Sequence, residues 1–472
     1  MESISAEKSS LGFIESARSE AGERRGALLF DRAIFISLLL LIALTAIPYG
    51  TVDQWWEAIF ECLALALGAL HAIKALIKRE PVIRDVRLFL PLLALVAFVL
   101  IQALLPISLD PYGTWLVWLK LLSYTVVFGL LLRYTTSLSR LRALIYLVFV
   151  ISFASALFGI LRQTTQNSPG FILPFLMPDV GFAQFINRNH FAFLMEMSLG
   201  LTLGMIASKL LKRNSVIIYL SVSLPLWTAL VLANSRAGII CLLAILIVSV
   251  FILLFHSAPG RHHKEQGRLS SAVSGLLQSV AARLVLIAFA VLIMTVAVVW
   301  MGGERVADRL ETIQYDVQAK PVDGVPWGRR QQIWRGTWQV IKSHPLMGIG
   351  PGTFNLAITR YDPGNGRLQP YSAHNDYLEI LLSFGIVGTA IILFFIALLV
   401  VRARRSLRSP GLYRRAACLG ALTGMSGVAL HSFFDFGLQI TVNALIFIAL
   451  IVIAIADFPA EEKTRPVRSA RA

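Results

Sequence analysis

Residues 237–256 read AGIICLLAILIVSVFILLFH, an apolar stretch that contains no Asp, Glu, Lys or Arg. An α-helix needs about 20 such residues to cross the hydrocarbon core of a bilayer. The stretch therefore predicts a membrane-spanning helix. Apolar runs of similar length recur from Leu28 to Ala456, which predicts one continuous membrane domain.

The composition of the chain agrees with a membrane domain. Of its 472 residues, 56% are hydrophobic and 15% are charged, whereas a soluble domain usually carries about 25% charged residues. Cys62, Cys241 and Cys418 all lie inside apolar runs. We therefore predict that they are packing residues, and the sequence predicts neither a disulfide frame, nor a metal site, nor a cofactor.

We predict an all-α polytopic membrane protein with about twelve transmembrane helices. The predicted spans are 28–48, 55–76, 88–105, 115–133, 143–161, 191–208, 216–233, 237–256, 284–301, 385–401, 416–434 and 438–456. Together they form a membrane domain over residues 28–456. Residues 1–27 are predicted to be a disordered cytoplasmic tail, 302–384 one large periplasmic loop between helices 9 and 10, and 457–472 a basic cytoplasmic tail.

The distribution of basic residues predicts the orientation of these spans. Lys and Arg concentrate in the cytoplasmic connections of membrane proteins. Placing both termini in the cytoplasm puts most of the 43 Lys and Arg residues on that side. Connections rich and poor in Lys and Arg then alternate at nearly every membrane crossing. The formal net charge of +16 is therefore explained by membrane orientation, and the sequence predicts no nucleic-acid partner.

Two short outer segments are rich in polar side chains. Asn187-Arg188-Asn189-His190 opens the sixth span, and Ser235-Arg236 lies in a tight turn between the seventh and eighth spans. An arginine at the membrane edge either reaches the lipid headgroups or faces an anionic lipid-linked substrate. The second reading suits Arg236, because a guanidinium binds phosphate through two parallel hydrogen bonds.

The predicted periplasmic loop contains a helical pattern followed by a glycine-rich turn. Residues 329–341 have helical spacing, and one face is predicted to hold Ile333, Trp334, Trp338 and Ile341. Such a helix lies on the membrane surface, either as an anchor or with Arg329 or Arg330 facing a headgroup diphosphate. Residues 347–354 lack the Lys-Ser/Thr of a nucleotide P-loop, so they are predicted to form a tight turn, with backbone amides that contact a phosphate as the alternative.

The loop ends in Ala373-His374-Asn375-Asp376, directly before the tenth span. Histidine titrates near neutrality, so His374 is a candidate general base. Asp376 is a candidate either to orient the imidazole or to act as the base itself. His431 and Asp435, near the end of the chain, are candidates for a buried polar pair on the structural or the acceptor side.

These motifs resemble the O-antigen ligase and polymerase superfamily. His374-Asn375 followed by Gly385 and Gly388 resembles the family signature, in which nine and then two residues separate the conserved types. Asn187 to Ala192, Ser235-Arg236 and Arg330-x-x-Ile333-Trp334 resemble three further family segments. The resemblance covers about residues 185–400, and extends more loosely to His431 through Ile440.

The resemblance implies an enzyme of the bacterial inner membrane, multi-pass, with its active site facing the periplasm. Such an enzyme moves a glycan from an undecaprenyl-diphosphate carrier to an acceptor hydroxyl, either on lipid A core or on a growing glycan. His374 is then the catalytic base or acceptor-positioning residue. The diphosphate contacts are Arg236, Arg330 and Arg188, supported by Asn375, Asp376, Asn187, Asn189 and Arg329. Fixed arginines replace a metal ion in this chemistry.

Three acceptors stay open within this resemblance, because the signature is common to all of them. A polymerase extends O-antigen or exopolysaccharide, a ligase modifies lipid A core, and an O-oligosaccharyltransferase modifies an exported protein. A membrane solute transporter is the alternative from another class. A transporter places ionisable residues near the midplane of several spans, and here Lys120 and Glu196 are nearly the only clear candidates.

Overall fold

The structure is a computed structural model that describes residue 26 and residues 28–83, 85–165, 176, 181–255, 329–361 and 370–457. Over these residues the chain is helical, and its β-structure there is limited to an isolated bridge between Phe182 and Phe185. The first eight helices are α1 (Leu28–Thr45), α2 (Gln54–Ile77), α3 (Val86–Leu104), α4 (Pro111–Tyr134), α5 (Leu138–Thr165), α6 (Arg188–Ala207), α7 (Arg213–Leu232) and α8 (Arg236–Phe255). The later ones are α9 (Arg329–Ser343), α10 (Phe354–Ile358), α11 (Asp376–Leu407), α12 (Leu412–His431) and α13 (Thr441–Ile455).

Nine of the helices within the described ranges are long and apolar enough to cross a membrane, namely α1 to α8 and α11. This confirms an all-α polytopic membrane protein. The predicted ninth span, 284–301, lies outside the described residues. The count of twelve spans, the orientation and the limits of the tails remain predictions.

The end of the membrane domain differs from the predicted boundaries. Helix α12 ends at His431 rather than continuing to 434, and α13 is a 15-residue helix that begins at Thr441. Between α12 and α13 the chain forms a turn and the 3-10 helix Gly437–Gln439. These place polar residues at the ends of the two helices. The sequence-based prediction included most of this connection in the two spans, because its phenylalanines are as hydrophobic as the helices on either side.

Helix α11 also begins earlier than predicted, at Asp376 instead of 385. Its backbone bends at Gly385, which has φ 60° and ψ −165°. A Cβ at this position would lie 2.3 Å from the Leu346 carbonyl oxygen, so the bend requires glycine. The side-chain amide of Gln102, on α3, holds the bend by donating to the carbonyls of Met347 at 2.6 Å and Ser383 at 2.9 Å.

The glycine-rich segment before the site forms the predicted tight turn. Gly348, Gly350 and Gly352 all have positive φ, between 68° and 86°. A Cβ at Gly348 would lie 2.5 Å from the carbonyl oxygen of Ser383, so this turn packs directly against the bend in α11. The turn therefore helps to fix the direction in which α11 leaves the site.

Helices α6 and α12 form the centre of the bundle. In the span of α6, 89% of the residues are buried, compared with 17% for α11. Gly200 and Gly204 on α6 face Gly420 and Gly424 on α12, and a Cβ at Gly200 would lie 2.4 Å from the Gly424 Cα. Small residues spaced by four let two helix backbones approach closely in a membrane. This contact sets the positions of Asn189 and Asp435, which lie at the same end of the helix pair.

Helix α9 packs against the start of α11 through an apolar cluster that includes Ile333, Val340, Ile341 and Leu382. The predicted shared face is wrong for Trp338, which is 46% exposed, while Thr337 takes the buried position. The other tryptophan, Trp334, donates its indole N–H to the carbonyl of Ala373 at 2.9 Å. Helix α9 is thereby attached to the residue that precedes His374.

Candidate functional site

His374 lies in a tightly fixed backbone at the mouth of α11. It has φ 48°, in the left-handed region that is uncommon for residues other than glycine. Its N–H donates to the Ser372 hydroxyl at 3.0 Å. Asn375 caps α11 by accepting from the Leu378 N–H at 3.1 Å, and its amide donates to the Phe433 carbonyl at 3.2 Å. A strained backbone held from both sides is a common feature of functional sites.

The imidazole of His374 contacts the carboxylate of Asp435. The His374 Nδ1 lies 3.2 Å from Asp435 Oδ1, and the Asp435 side chain is 1% exposed whereas that of His374 is 32% exposed. The Phe436 N–H also donates to Asp435 Oδ1, at 3.0 Å. A carboxylate on one ring nitrogen fixes the orientation of the imidazole. The opposite nitrogen, Nε2, is then available for a proton from a substrate.

The environment of Asp435 keeps its carboxyl ionised. Burial alone would raise the pKa of this group, because it disfavours the charged form. The hydrogen bond from His374, the nearby imidazoles of His190 and His374, and the hydrogen bond from Asn189 outweigh burial and hold the pKa of Asp435 well below its usual range. The buried carboxylate therefore places a negative charge beside the His374 imidazole.

The Asn-x-Asn segment and the Ser-Arg turn join the same hydrogen-bond network. Asn189 donates from its side-chain amide to Asp435 Oδ2 at 2.5 Å, and its Oδ1 accepts from the Ser235 hydroxyl at 2.8 Å. Asn187 caps α6 by accepting from the Asn189 N–H at 2.8 Å. The chain Ser235–Asn189–Asp435–His374 therefore links α8, α6, the connection after α12 and the start of α11; below we call it the outer network.

His190 is a buried member of the same region rather than a surface residue. It is 6% exposed, and its Nε2 lies 4.0 Å from Asp435 Oδ1. The Phe436 ring packs edge-on against His190 and against His374, with centroids 4.7 and 5.1 Å apart. Phe436 thus separates the two imidazoles while Asp435 faces both.

The predicted arginines lie next to the outer network in the chain. Arg188 precedes Asn189 and Arg236 follows Ser235, and each is the first residue of its helix and partly exposed. Arg330 is exposed and lies one turn before Trp334, so both are on the same face of α9. Arg329 begins α9, and its side chain lies outside the described residues. Three separate helix starts therefore bring cationic residues to the segments that hold His374.

Asp376 does not contact the imidazole as one sequence hypothesis suggested. Its Oδ2 accepts from the Ser432 hydroxyl at 2.8 Å, and its N–H donates to the Ser432 carbonyl at 2.9 Å. These bonds tie α11 to the end of α12. The pair predicted between His431 and Asp435 also does not form, because His431 contacts Glu196 and Asp435 contacts His374.

Asp435 is therefore the site residue whose role sequence reasoning did not assign. The available signal was its position four residues after His431, within a segment that resembles the family only loosely. Its partner is 61 positions away in the chain. Nothing in local spacing distinguishes Asp435 from Asp376 as the orienting acid.

Residues 221–393 match a family model described as O-antigen ligase. No curated protein matches the chain. The match contains Arg236, Arg330, His374 and the bend at Gly385, whereas Asn189 and Asp435 lie outside it. It confirms the predicted resemblance to the O-antigen ligase and polymerase superfamily. It also supports a role in surface glycan assembly, with a glycosyltransferase-like activity on lipid-linked glycans in a multi-pass inner-membrane protein.

Proposed function

We propose that this protein belongs to the O-antigen ligase and polymerase superfamily and transfers a glycan from undecaprenyl diphosphate to an acceptor hydroxyl at the periplasmic face. The observation that supports this most is the Asp435–His374 contact at 3.2 Å. It gives a partly exposed imidazole a fixed orientation and a buried counter-charge. Such a pair suits a general base that takes a proton from an alcohol.

In the proposed reaction, His374 Nε2 accepts the proton of the acceptor hydroxyl. The acceptor oxygen forms a bond to the anomeric carbon of the donor sugar. The bond between that carbon and the diphosphate oxygen breaks, and its electron pair stays on the leaving diphosphate. Asp435 offsets the positive charge on His374, and it acts as a positioning residue because it contacts the imidazole rather than the substrate.

The leaving diphosphate gains negative charge as the glycosidic bond breaks. Arg236, Arg188 and Arg330 are proposed to bind it, since fixed cations stabilise charge that develops in a transition state. Arg329, Asn187 and Asn375 support the segments that carry these residues. We propose that the transfer step itself uses no metal ion, because the arginines supply the charge that Mg²⁺ would otherwise provide.

The acceptor is proposed to be a surface polysaccharide chain or lipid A core, with protein O-glycosylation as the alternative within the family. The transporter alternative receives no specific support. Lys120 donates to Glu57 at 2.5 Å and to the Gln439 carbonyl at 2.9 Å, and Glu196 pairs with His431. Both of the suspected midplane charges therefore have partners that tie helices together.

Complementation tests the proposed site. His374→Ala and Arg236→Ala are expressed in a strain that lacks the native protein, and surface glycan is examined by gel. Both variants are expected to abolish full-length glycan. His344→Ala and Arg360→Ala are matched controls, because both residues are exposed, lie within the predicted periplasmic loop and are not members of the outer network. Normal glycan with both His374→Ala and Arg236→Ala would show that the site is wrong.

A reconstituted reaction separates the acceptors and tests the role of metal. Purified protein receives carrier-linked oligosaccharide without lipid A, and a ladder of longer carrier-linked products excludes an obligate ligase. Transfer is expected to continue when EDTA is present during the reaction. Loss of transfer in EDTA that Mg²⁺ restores would contradict the metal-independent step.

A further inference from the structure

A second polar cluster lies inside the bundle, formed by Glu196 on α6, Cys241 on α8 and His431 at the end of α12. Each residue offers one ligand atom, and these atoms all lie within 4.8 Å of one another. All three residues have 0% exposure. Below we call these three residues the inner cluster.

The inner cluster has polar atoms whose bonding is incomplete. His431 Nδ1 and Glu196 Oε1 are 2.8 Å apart and share a hydrogen bond. The other atoms of the same groups, His431 Nε2 and Glu196 Oε2, have no hydrogen-bond partner among the described residues. Buried polar atoms are nearly always bonded in native proteins, so two unbonded atoms on these contacting residues require an explanation.

We propose that the inner cluster binds one divalent transition-metal ion, with Zn²⁺ as the best match. A thiolate, an imidazole and a carboxylate are the ligands that Zn²⁺ takes in proteins. Bonds of about 2.0–2.3 Å in tetrahedral geometry place ligand atoms roughly 3.3–3.8 Å apart. The observed limit of 4.8 Å requires each side chain to move by only about 1 Å toward a common centre.

Charge balance also favours a divalent ion. A thiolate from Cys241 and a carboxylate from Glu196 carry two negative charges, and His431 binds a metal as the neutral imidazole. One divalent cation therefore makes the whole inner cluster neutral. Neutrality matters here because an isolated charge in the interior of a membrane domain is costly.

The surroundings of the inner cluster suit an ion with a structural role. The Phe193 ring stacks on the His431 ring with centroids 4.0 Å apart, and Ile245 packs against Gly427. The backbone N–H of Asp435 donates to the His431 carbonyl at 3.1 Å. An ion that holds His431 would thus fix the end of α12, from which the chain continues to Asp435. The proposal rests on this geometry and not on the proposed function.

The three cysteines provide matched controls. Cys418 is buried like Cys241, but its thiol donates to the Ala403 carbonyl at 3.6 Å, and it is not part of the inner cluster. Cys62 is exposed on the surface of the bundle. The sequence prediction that all three are packing residues is replaced, for Cys241, by the proposed role as a ligand.

Metal analysis of the full-length protein tests the proposal. Protein purified in detergent is incubated with Zn²⁺, passed through a desalting column and measured by mass spectrometry of the elements. About one Zn²⁺ per chain is expected for the wild type and for Cys418→Ala, with at least a tenfold loss for Cys241→Ala. No retained Zn²⁺ in the wild type, or equal Zn²⁺ in Cys241→Ala, would overturn the proposal.

A second measurement keeps Cys241 in place and so does not depend on the folding of its variant. The protein with both Cys62→Ala and Cys418→Ala is loaded with Co²⁺, and its near-ultraviolet spectrum is recorded. A thiolate-to-cobalt absorption band is expected, because Cys241 is then the one remaining thiol. Absence of the band would rule out Cys241 as a ligand even if some metal is bound elsewhere.

Discussion

The outer network and the inner cluster are built on the same pair of helices but differ in how their carboxylates are satisfied. Helix α6 supplies Asn189 to the outer network and Glu196, two turns further along, to the inner cluster. In the outer network both oxygens of Asp435 accept hydrogen bonds, and the adjacent His374 is partly exposed. In the inner cluster one oxygen of Glu196 and one nitrogen of His431 lack such a partner within the described region.

This difference shows how one scaffold can place two histidine–carboxylate pairs in different chemical roles. Complete bonding keeps Asp435 charged beside the partly exposed His374, which we propose accepts a proton from the acceptor hydroxyl. Incomplete bonding of the buried Glu196 and His431 leaves polar atoms that a bound cation can satisfy. The histidine that is accessible, and not the one that is most buried, is the candidate for the reaction.

The largest expected effect comes from breaking the contact between α6 and α12, on which both the outer network and the inner cluster depend. Gly200→Val would place a Cβ 2.4 Å from the Gly424 Cα, where neither backbone can move without separating α6 from α12. We expect a loss of most of the folded protein, measured as the monodisperse peak in fluorescence-detected size-exclusion chromatography. Gly411→Val is the control, since its Cβ would meet its nearest neighbour at 3.6 Å. A normal peak for Gly200→Val would show that the bundle tolerates separation of this pair.

The next largest effect tests the outer network alone. Asp435→Asn keeps the size of the side chain and removes the charge that stabilises the His374 imidazolium. We expect the transfer rate kcat to fall by about 100-fold, within the range typical of proton-transfer assistance, with the KM for the donor changed by less than about threefold. The protein should remain folded, because the amide oxygen still accepts from the Phe436 N–H, although the bond from the Asn189 amide to the second oxygen is lost.

Asp457→Asn is the matched control for that measurement. Asp457 forms an ion pair with Arg414 at 3.0 Å and its side chain is 64% exposed. Its variant should keep the wild-type rate. If Asp435→Asn instead raises KM and leaves kcat unchanged, Asp435 acts in donor binding. The proposed difference in chemical role between the outer network and the inner cluster would then be wrong.

Much of the fold could be predicted from the sequence because membrane helices are decided by long apolar runs. The eight predicted spans between 28 and 256 each correspond to a helix in the structure. The connection after α12 could not be predicted in this way. Its phenylalanines extend the apolar pattern past His431, whereas the chain turns there and places Asp435 beside His374.

The site was predictable in its motifs but not in its contacts. His374, Asn189 and Ser235 each belong to a short motif that local sequence reveals, and the structure brings these three together. The choice of Asp435 over Asp376 as the partner of His374 depends on packing between α11 and α12. Asp376 is only two residues from His374, yet its position at the start of α11 turns its carboxylate toward Ser432.

The smallest expected effect comes from the far end of the outer network. The Ser235 hydroxyl donates to Asn189 Oδ1 at 2.8 Å and accepts from the Gly238 N–H at 3.1 Å. Ser235→Ala removes one bond that orients Asn189, and a hydrogen bond contributes about 0.5–1.5 kcal/mol. We therefore expect the transfer rate to fall by about fivefold, measured with the same purified donor.

Ser249→Ala on the same helix is the control, because the Ser249 hydroxyl donates only to the Ile245 carbonyl within α8, at 2.7 Å. Its rate should stay within about twofold of the wild type. Combining Ser235→Ala with Asp435→Asn sharpens the comparison further. If Ser235 acts through Asn189 on Asp435, the double variant should be no slower than Asp435→Asn alone, since coupled residues are not additive. A further fivefold loss would instead place Ser235 on an independent path, such as positioning the adjacent Arg236.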